Sequence, residues 1–468
     1  MIMSSTPHLI ITGATLEGWF AAALLVNRLR PLGIGVTVVP SPDDAPPPLA
    51  LCTTPAHGHL HRELKLDERD VVRFCGGSFR LATQYKDEND ETGFLIGFAS
   101  AGEPRDGAGF HHYWHRAKEW DGARAFSSYN LAAAAAAKGK FAPPIPEAAD
   151  IRGRFEFGLH LSGPLYQDYL QKCALHYGAV LAPSSFASSV RDDDGKVSGL
   201  MLENGETLSG GFFIDATGSA ACLAGAGEMQ TALQGPGQLD WQESAARANL
   251  SLTVTSGQQG GYDISVPLYE TTATGRYRAG DGNVPNSWRL HPWAENVLSI
   301  GRTAAELEPL GAPMMTLAAT ALDTFTELLP FGNDAPFARE EYNRRMHETC
   351  ERFSEFQLIQ HVLSPGGPSE DDLPETLRRK LTQFNSRGRI VTYDHESFDE
   401  DTHLALYLGA GLMPDRHDAL ANRAEDGQVK DFLSATLKSV RAARDAMPDQ
   451  REWLEKSGIA RKTEGGSS

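Results

Sequence analysis

Residues 8–39 read HLIITGATLEGWFAAALLVNRLRPLGIGVTVV. His8–Thr12 is short, apolar and β-branched, the composition of a buried strand. Gly13 breaks it. Trp19–Leu29, dense in Ala and Leu, reads as a helix, and Gly35–Val39 as a second strand. Strand, tight turn, helix and strand in that order open a dinucleotide-binding α/β unit. The turn is G-x-T-x-x-G over Gly13, Ala14, Thr15, Leu16, Glu17 and Gly18, where the fingerprint is G-x-G-x-x-G. The outer glycines serve the tight turn and the helix–strand packing, and the central one lets the backbone approach a pyrophosphate. Thr15 puts a Cβ and a methyl at that approach point, with a hydroxyl that could donate to a phosphate oxygen. Pro40 stands where an acidic residue would accept a ribose hydroxyl, with Asp43 and Asp44 only later. Alone, the turn fits a nucleotide site or a strand–helix connection that merely needs glycines.

Outward from this unit, Ser41–Pro48 holds four prolines and two aspartates and reads as loop. Gly77–Tyr85 and Gly93–Ala99 have strand character around an acidic turn, Lys86–Glu91. Ser127–Lys138 and Gly163–Tyr177 read as helices, the latter with Leu165, Tyr169, Leu170 and Cys173 at core-facing spacing. Asp194-Gly195 and Asn204-Gly205 mark hairpin turns among the strands Phe186–Val190, Val197–Leu202 and Gly211–Asp215. From Thr316 the pattern is helical, through Pro336–Val362, Leu373–Thr382 and Gly427–Ala446, with Pro336 suited to a first helical position. The expected fold class is α/β (α+β). Residues 1–85 and 150–310 form a nucleotide-type module, 86–149 an insertion, 311–460 a mostly helical substrate-side region, and 461–468 a disordered tail.

The 468 residues carry 61 acidic and 43 basic side chains, a net charge of −18. Such a surface repels nucleic-acid phosphate and anionic membranes. No apolar run approaches the roughly 20 residues of a spanning helix, and the start lacks the pattern of a signal peptide. Five scattered cysteines without C-x-x-C spacing signal neither a zinc site nor a redox dithiol. The expectation is a soluble cytoplasmic protein, with no metal, nucleic acid or membrane partner. His111, His112 and His115, with Tyr113 and Trp114, form an aromatic cluster that reads as a substrate-facing wall or as plain packing, since no H-E-x-x-H accompanies it.

Several further segments, in order along nearly the whole chain, resemble the flavin-dependent tryptophan halogenase family. Gly13–Ala23, with Trp19, resembles its G-x-G-x-x-G-W-x-x-A-A opening, and Ser127–Phe141 resembles a helix of its FAD domain. Phe213–Gly218 (F-I-D-A-T-G) is similar to F-I-D-C-S-G, and Asn296–Leu310 to N-x-x-A-I-G-x-A-A-G-F-L-E-P-L. Phe384–Asp394, Leu408–Pro414 and Asp445–Pro448 resemble its C-terminal region. The resemblance implies the FAD/NAD(P)-binding, Rossmann-like fold of flavoprotein monooxygenases with a helical C-terminal region. It also implies FAD supplied reduced by a separate flavin reductase, and a small aromatic, indole-like substrate. By motif match, Gly13, Ala14, Thr15, Gly18, Trp19, Gly218, Gly301 and Pro309 would line the FAD cleft, and Arg80 takes the place of the family's lysine.

In that family halide is oxidised at the flavin and handed to a lysine, with a glutamate assisting. Here the F-K pair is Phe79-Arg80, and an arginine keeps its proton where a buried lysine can lose it. W-x-W-x-I-P aligns with Gly261–Leu268, whose counterparts of the tryptophans are Tyr262 and Ile264. After Glu308-Pro309-Leu310 the family continues E-S-T-G, and this chain Gly311-Ala312-Pro313-Met314, losing the carboxylate and one N–H of the halide loop. The G-V-G-E loop is absent from Leu49–Pro55. Two functions are expected: an FAD-dependent oxidoreductase or monooxygenase without ordinary halogenation and with weakened FAD binding, or a catalytically silent halogenase paralogue that binds a ligand or partner. A homodimer or a pairing with an active paralogue is compatible with either.

Overall fold

The computed structural model describes residues 8–86, 93–118, 120, 123–148, 150–329, 336–362 and 369–459. The expected acidic turn after Lys86 and the expected disordered tail lie outside the described residues. Contacts divide the chain into two compact units: Met1–Cys75, Leu161–Leu239 and Ala279–Ser354, and Gly76–His160, Asp240–Arg278 and Glu355–Ser468. Residues 240–278 therefore group with 76–160, and 311–354 with the nucleotide-type strands, a different partition from the one the sequence suggests.

The first unit is built on the opening motif. β1 (His8–Thr12) and β2 (Gly35–Val39) pair in parallel around α1 (Leu16–Leu29). β1 sits in mid-sheet, with Phe212–Asp215 parallel on its other side and Val297–Ser299 parallel beyond that. Val180–Leu181 closes the sheet beside β2, and Trp293–Ala294 closes the other edge in antiparallel pairing. Gly211–Asp215, expected to end the hairpin set, instead supplies a central strand. Its buried Phe213 and Ile214 suit a strand covered on both faces. Thr207–Ser209 takes the third hairpin place, antiparallel to Val197–Leu202, and Gly195 and Gly205 take the positive φ that the two turns require.

α1 is buried almost all round, as its Ala/Leu composition demands, and packs on the helices Gly163–Tyr177 and Pro313–Glu327. The buried stripe of Gly163–Tyr177 is Gly163, Tyr166, Leu170 and Ala174, not the expected Leu165, Tyr169, Leu170 and Cys173. Leu165 is 41 % exposed. On this stripe the Tyr166 hydroxyl lies 3.0 and 2.9 Å from His57 and His61.

In the second unit, Thr272–Ala279, Gly261–Pro267, Leu252–Gln258, Ala82–Lys86 and Phe94–Gly97 lie side by side in one sheet. The expected single strand Gly77–Tyr85 is two: Ser78–Arg80 pairs with Gly158–Ser162, and Ala82–Lys86 enters the larger sheet. The expected helix Ser127–Lys138 is a short turn, Phe126–Tyr129, and a helix, Leu131–Ala136, divided at Asn130, whose side chain caps Ala133 N–H. Helices at Glu375–Arg387, Glu400–Gly409, Asp426–Ala446 and Gln450–Lys456 complete this unit around a core that includes Phe110, Tyr113, Phe384 and Tyr407. No described helix is long and apolar enough to cross a membrane.

Candidate functional site

The first unit brings most of the expected cofactor residues to the C-terminal edge of its parallel sheet, where α/β folds place ligands. Gly13 has φ +109°, and a Cβ there would lie 2.7 Å from the Ala216 carbonyl; a Cβ on Gly18 would meet the Gly13 oxygen at 2.0 Å. Both outer glycines are thus sterically required. Thr15 departs from expectation. Its hydroxyl donates to Ala216 O at 2.9 Å and accepts from Gly18 N–H at 3.1 Å, so it caps α1 and faces inward instead of toward a phosphate. Trp19 is buried within the unit. Gly218 and Gly301 sit with φ +71° and +56° at the ends of the neighbouring strands. Pro309 lies in the turn before Pro313–Glu327, its carbonyl accepting from Ala312 N–H at 3.3 Å.

The loop after β2 folds back over this edge. Asp44 Oδ2 accepts from Ala14 N–H at 2.8 Å and Ser41 N–H at 3.0 Å. Ala45 Cβ lies 3.4 Å from where a Cβ on Gly218 would stand. Pro46 O accepts from Arg302, whose Nε also donates to the buried Glu17 at 2.8 Å. Glu17 fills the space above Gly301, within 2.5 Å of a Cβ placed there. Gly218 N–H donates to Thr303 Oγ1 at 2.8 Å. The N–H groups of Ala14, Gly18 and Gly218 are all engaged inside the chain, and two carboxylates stand at the start of α1. A dinucleotide's diphosphate brought to this edge would meet Asp44 already on the Ala14 N–H.

Arg80 belongs to the second unit. It is 5 % exposed, its Nη2 donates to Thr83 Oγ1 at 2.6 Å, and its guanidinium lies 5.0 Å from the Phe98 ring centroid. The Ser78–Arg80 strand is locked by Phe79, stacked on Phe141 at 4.3 Å, and by His160, whose ring nitrogens lie 2.9 Å from Ser78 Oγ and Thr253 Oγ1. Burial, with the Arg80 charge, holds His160 well below its ordinary pKa. Tyr262 and Ile264, in the tryptophan places, are core residues, and Tyr262 stacks on Tyr277. In the first unit, Gly311 and Ala312 both take positive φ, +79° and +63°, and Pro313 opens a helix without an N–H to offer. His111 and His112 are buried on the helix Phe110–Lys118. His111 Nε2 is 2.9 Å from Gly388 O, and His112 Nδ1 accepts from Asp418 N–H at 3.2 Å. Burial lowers His111 to about 4, so it is neutral at pH 7. Among the described residues no group of three or more His, Cys, Asp or Glu is placed to hold a metal.

A family model described as tryptophan halogenase matches residues 8–243 and 244–426. The chain belongs to the tryptophan halogenase family. Two relatives are the 7-chloro-L-tryptophan 6-halogenase KtzR of Kutzneria sp. (strain 744), 19 % identical over 354 residues, and the tryptophan 6-halogenase SttH of Streptomyces toxytricini, 20 % identical over 356. Each match covers 65 % of this chain and 67 % of the relative. Among solved structures, the flavin-dependent halogenase BrvH of Brevundimonas sp. BAL3 superposes with a TM-score of 0.90 at 24 % identity, covering 97 % of this chain and 99 % of that one. Xcc4156, a flavin-dependent halogenase of Xanthomonas campestris, gives 0.86 at 22 %, over 96 % and 98 %. At these identities the superpositions establish the fold.

Two features escaped the sequence reading. Asp44 was visible only as an acid of the loop and Glu17 only as a residue of the glycine turn, and their convergence on one helix start depends on how residues 41–48 fold back. The buried group of Lys380, Glu355, Glu396 and His403 comes from three helices and a loop and has no linear signature.

Proposed function

We propose that this chain is a diverged member of the tryptophan halogenase family that keeps the scaffold and binds a small aromatic, indole-like ligand without transferring halogen to it. The observation that carries this reading is Arg80. By motif match it stands in the place of the family's lysine, is buried against Phe98 and donates to Thr83, and a guanidinium supplies no free amine. Gly311, in the place of the assisting glutamate, has no carboxylate. A cytoplasmic location and pairing with a second copy or an active paralogue belong to the same reading.

The second reading is an FAD-dependent oxidoreductase fed by a flavin reductase. It is favoured by the left-handed glycines Gly13, Gly218 and Gly301 at the sheet edge, and it requires the 41–48 loop to move. Ligand-observed NMR on the full chain with a panel of indoles and phenols tests the binding proposal. Saturation transfer to at least one indole without added FAD is expected; transfer to none of the panel at millimolar ligand would overturn it.

A further inference from the structure

The loop Ser41–Pro48 is fastened over the start of α1 at two points. Asp44 holds the Ala14 and Ser41 N–H groups, and the Pro46 carbonyl is held by Arg302; Ala45 stands where a side chain on Gly218 would reach. Asp44 Oδ1 is buried and makes no hydrogen bond. A surface loop rich in proline has water available on its other side. Turning a carboxylate inward with one oxygen unsatisfied is costly, and burial raises the Asp44 carboxyl above its ordinary pKa; the Ser41 and Ala14 N–H groups, and the N-terminus of the 14-residue helix beside them, oppose that cost. The attraction of such a terminus for a carboxylate is the one it exerts on a phosphate. Glu17 adds a second carboxylate in the first turn, only 2 % exposed and tied to Arg302.

We infer that Asp44 is a built-in occupant of the anion seat at the start of α1, so that the chain excludes a dinucleotide's diphosphate until the 41–48 loop is displaced. The inference concerns the seat alone and is independent of whether halogen is transferred. Any diphosphate-bearing ligand must break the two hydrogen bonds that Asp44 accepts and enter beside the Asp44 carboxylate, the charge of Glu17 being paired with Arg302. A carboxylate hydrogen bond of this kind corresponds to about tenfold in an equilibrium constant or more.

The test is a binding titration on the full chain, followed by tryptophan fluorescence, with FAD and with riboflavin, which lacks the diphosphate. The proteins are wild type, Asp44→Ala and Asp44→Asn, with melting temperatures taken in parallel. Asp44→Ala is expected to bind FAD at least about tenfold more tightly than wild type. Asp44→Asn, which keeps the shape and one acceptor while removing the charge, is expected to fall between, and serves alone if the alanine variant does not fold. Riboflavin affinity should be unchanged by either substitution. Equal or weaker FAD binding by the folded variants would overturn the inference, as would a gain for riboflavin as large as that for FAD.

Discussion

Lys380 offers the sharpest test of how the second unit is held together. Its side chain is 1 % exposed, with Nζ 3.0 Å from Glu355 Oε2 and 2.5 Å from Glu396 Oε1; the two carboxylate side chains are 2 % and 7 % exposed. Thr376 also donates to Glu355, Tyr393 lays its ring 5.4 Å from the ammonium, and His403 Nε2 is 3.6 Å from Glu396. Burial lowers the pKa of His403 despite Glu396, so the imidazole is a poor substitute for the ammonium at pH 7. Lys380→Met keeps the volume of the stem and leaves two carboxylates facing each other in a dry core. Removing one partner of a buried ion pair costs about 3–5 kcal/mol, most of it the penalty on the charge left behind. The triple variant Lys380→Met, Glu355→Gln, Glu396→Gln removes that charge and should recover most of the loss. Urea unfolding of the full chain at pH 7, monitored by near-ultraviolet circular dichroism, reads both. A loss below about 1 kcal/mol for Lys380→Met, or a triple variant no more stable than the single one, would refute the reasoning.

Glu306 gives a pH-dependent effect. Burial raises its carboxyl from 4.5 to about 7, against the lowering effect of Arg302. The folded chain thus holds a proton across pH 4.5–7 that the unfolded chain has lost, and stability falls as pH rises through that window by about 3 kcal/mol. Glu306→Gln should therefore be more stable than wild type in urea at pH 8 and no different at pH 4; an equal difference at both values would contradict this origin. Gly18→Ala, whose Cβ would stand 2.0 Å from Gly13 O, should lower stability by about 1–3 kcal/mol. Gly427→Ala, with nothing within 4 Å of the added atom, should cost nothing in the same urea series.

The fold was legible where local chemistry and packing agreed. His8–Thr12, Gly35–Val39 and Gly163–Tyr177 have the bounds that composition, glycine breaks and proline placement indicate. It was less legible where partners are remote. Phe212–Asp215 looks like the end of a meander until β1 and Val297–Ser299 are seen to flank it, and the buried face of Gly163–Tyr177 includes Tyr166, which meets two histidines of another helix. The site divides in the same way. Gly13 and Gly18 could be read from the turn because their need is steric and local. The inward hydroxyl of Thr15 could not, because its acceptor at Ala216 is 201 residues away. Nor could the return of Asp44 onto Ala14, because nothing in a proline-rich loop states its direction.

The claim that this member no longer transfers halogen is tested most directly by asking the wild-type chain to brominate. The full-length protein is supplied with a flavin reductase, NADH, oxygen, bromide and an indole–phenol panel, with FAD raised far above its measured dissociation constant so that cofactor loading does not limit the result. Catalase and a heat-inactivated sample serve as controls. Loss of acid–base assistance alone is worth about 10²–10⁴-fold in rate. If Arg80 and Gly311 stand, as the motif match has them, where the family has its lysine and glutamate, no brominated product above the heat-inactivated control is expected by mass spectrometry. Steady bromination by the wild type, unaffected by catalase and abolished by heat, would contradict the account and make the chain an active halogenase.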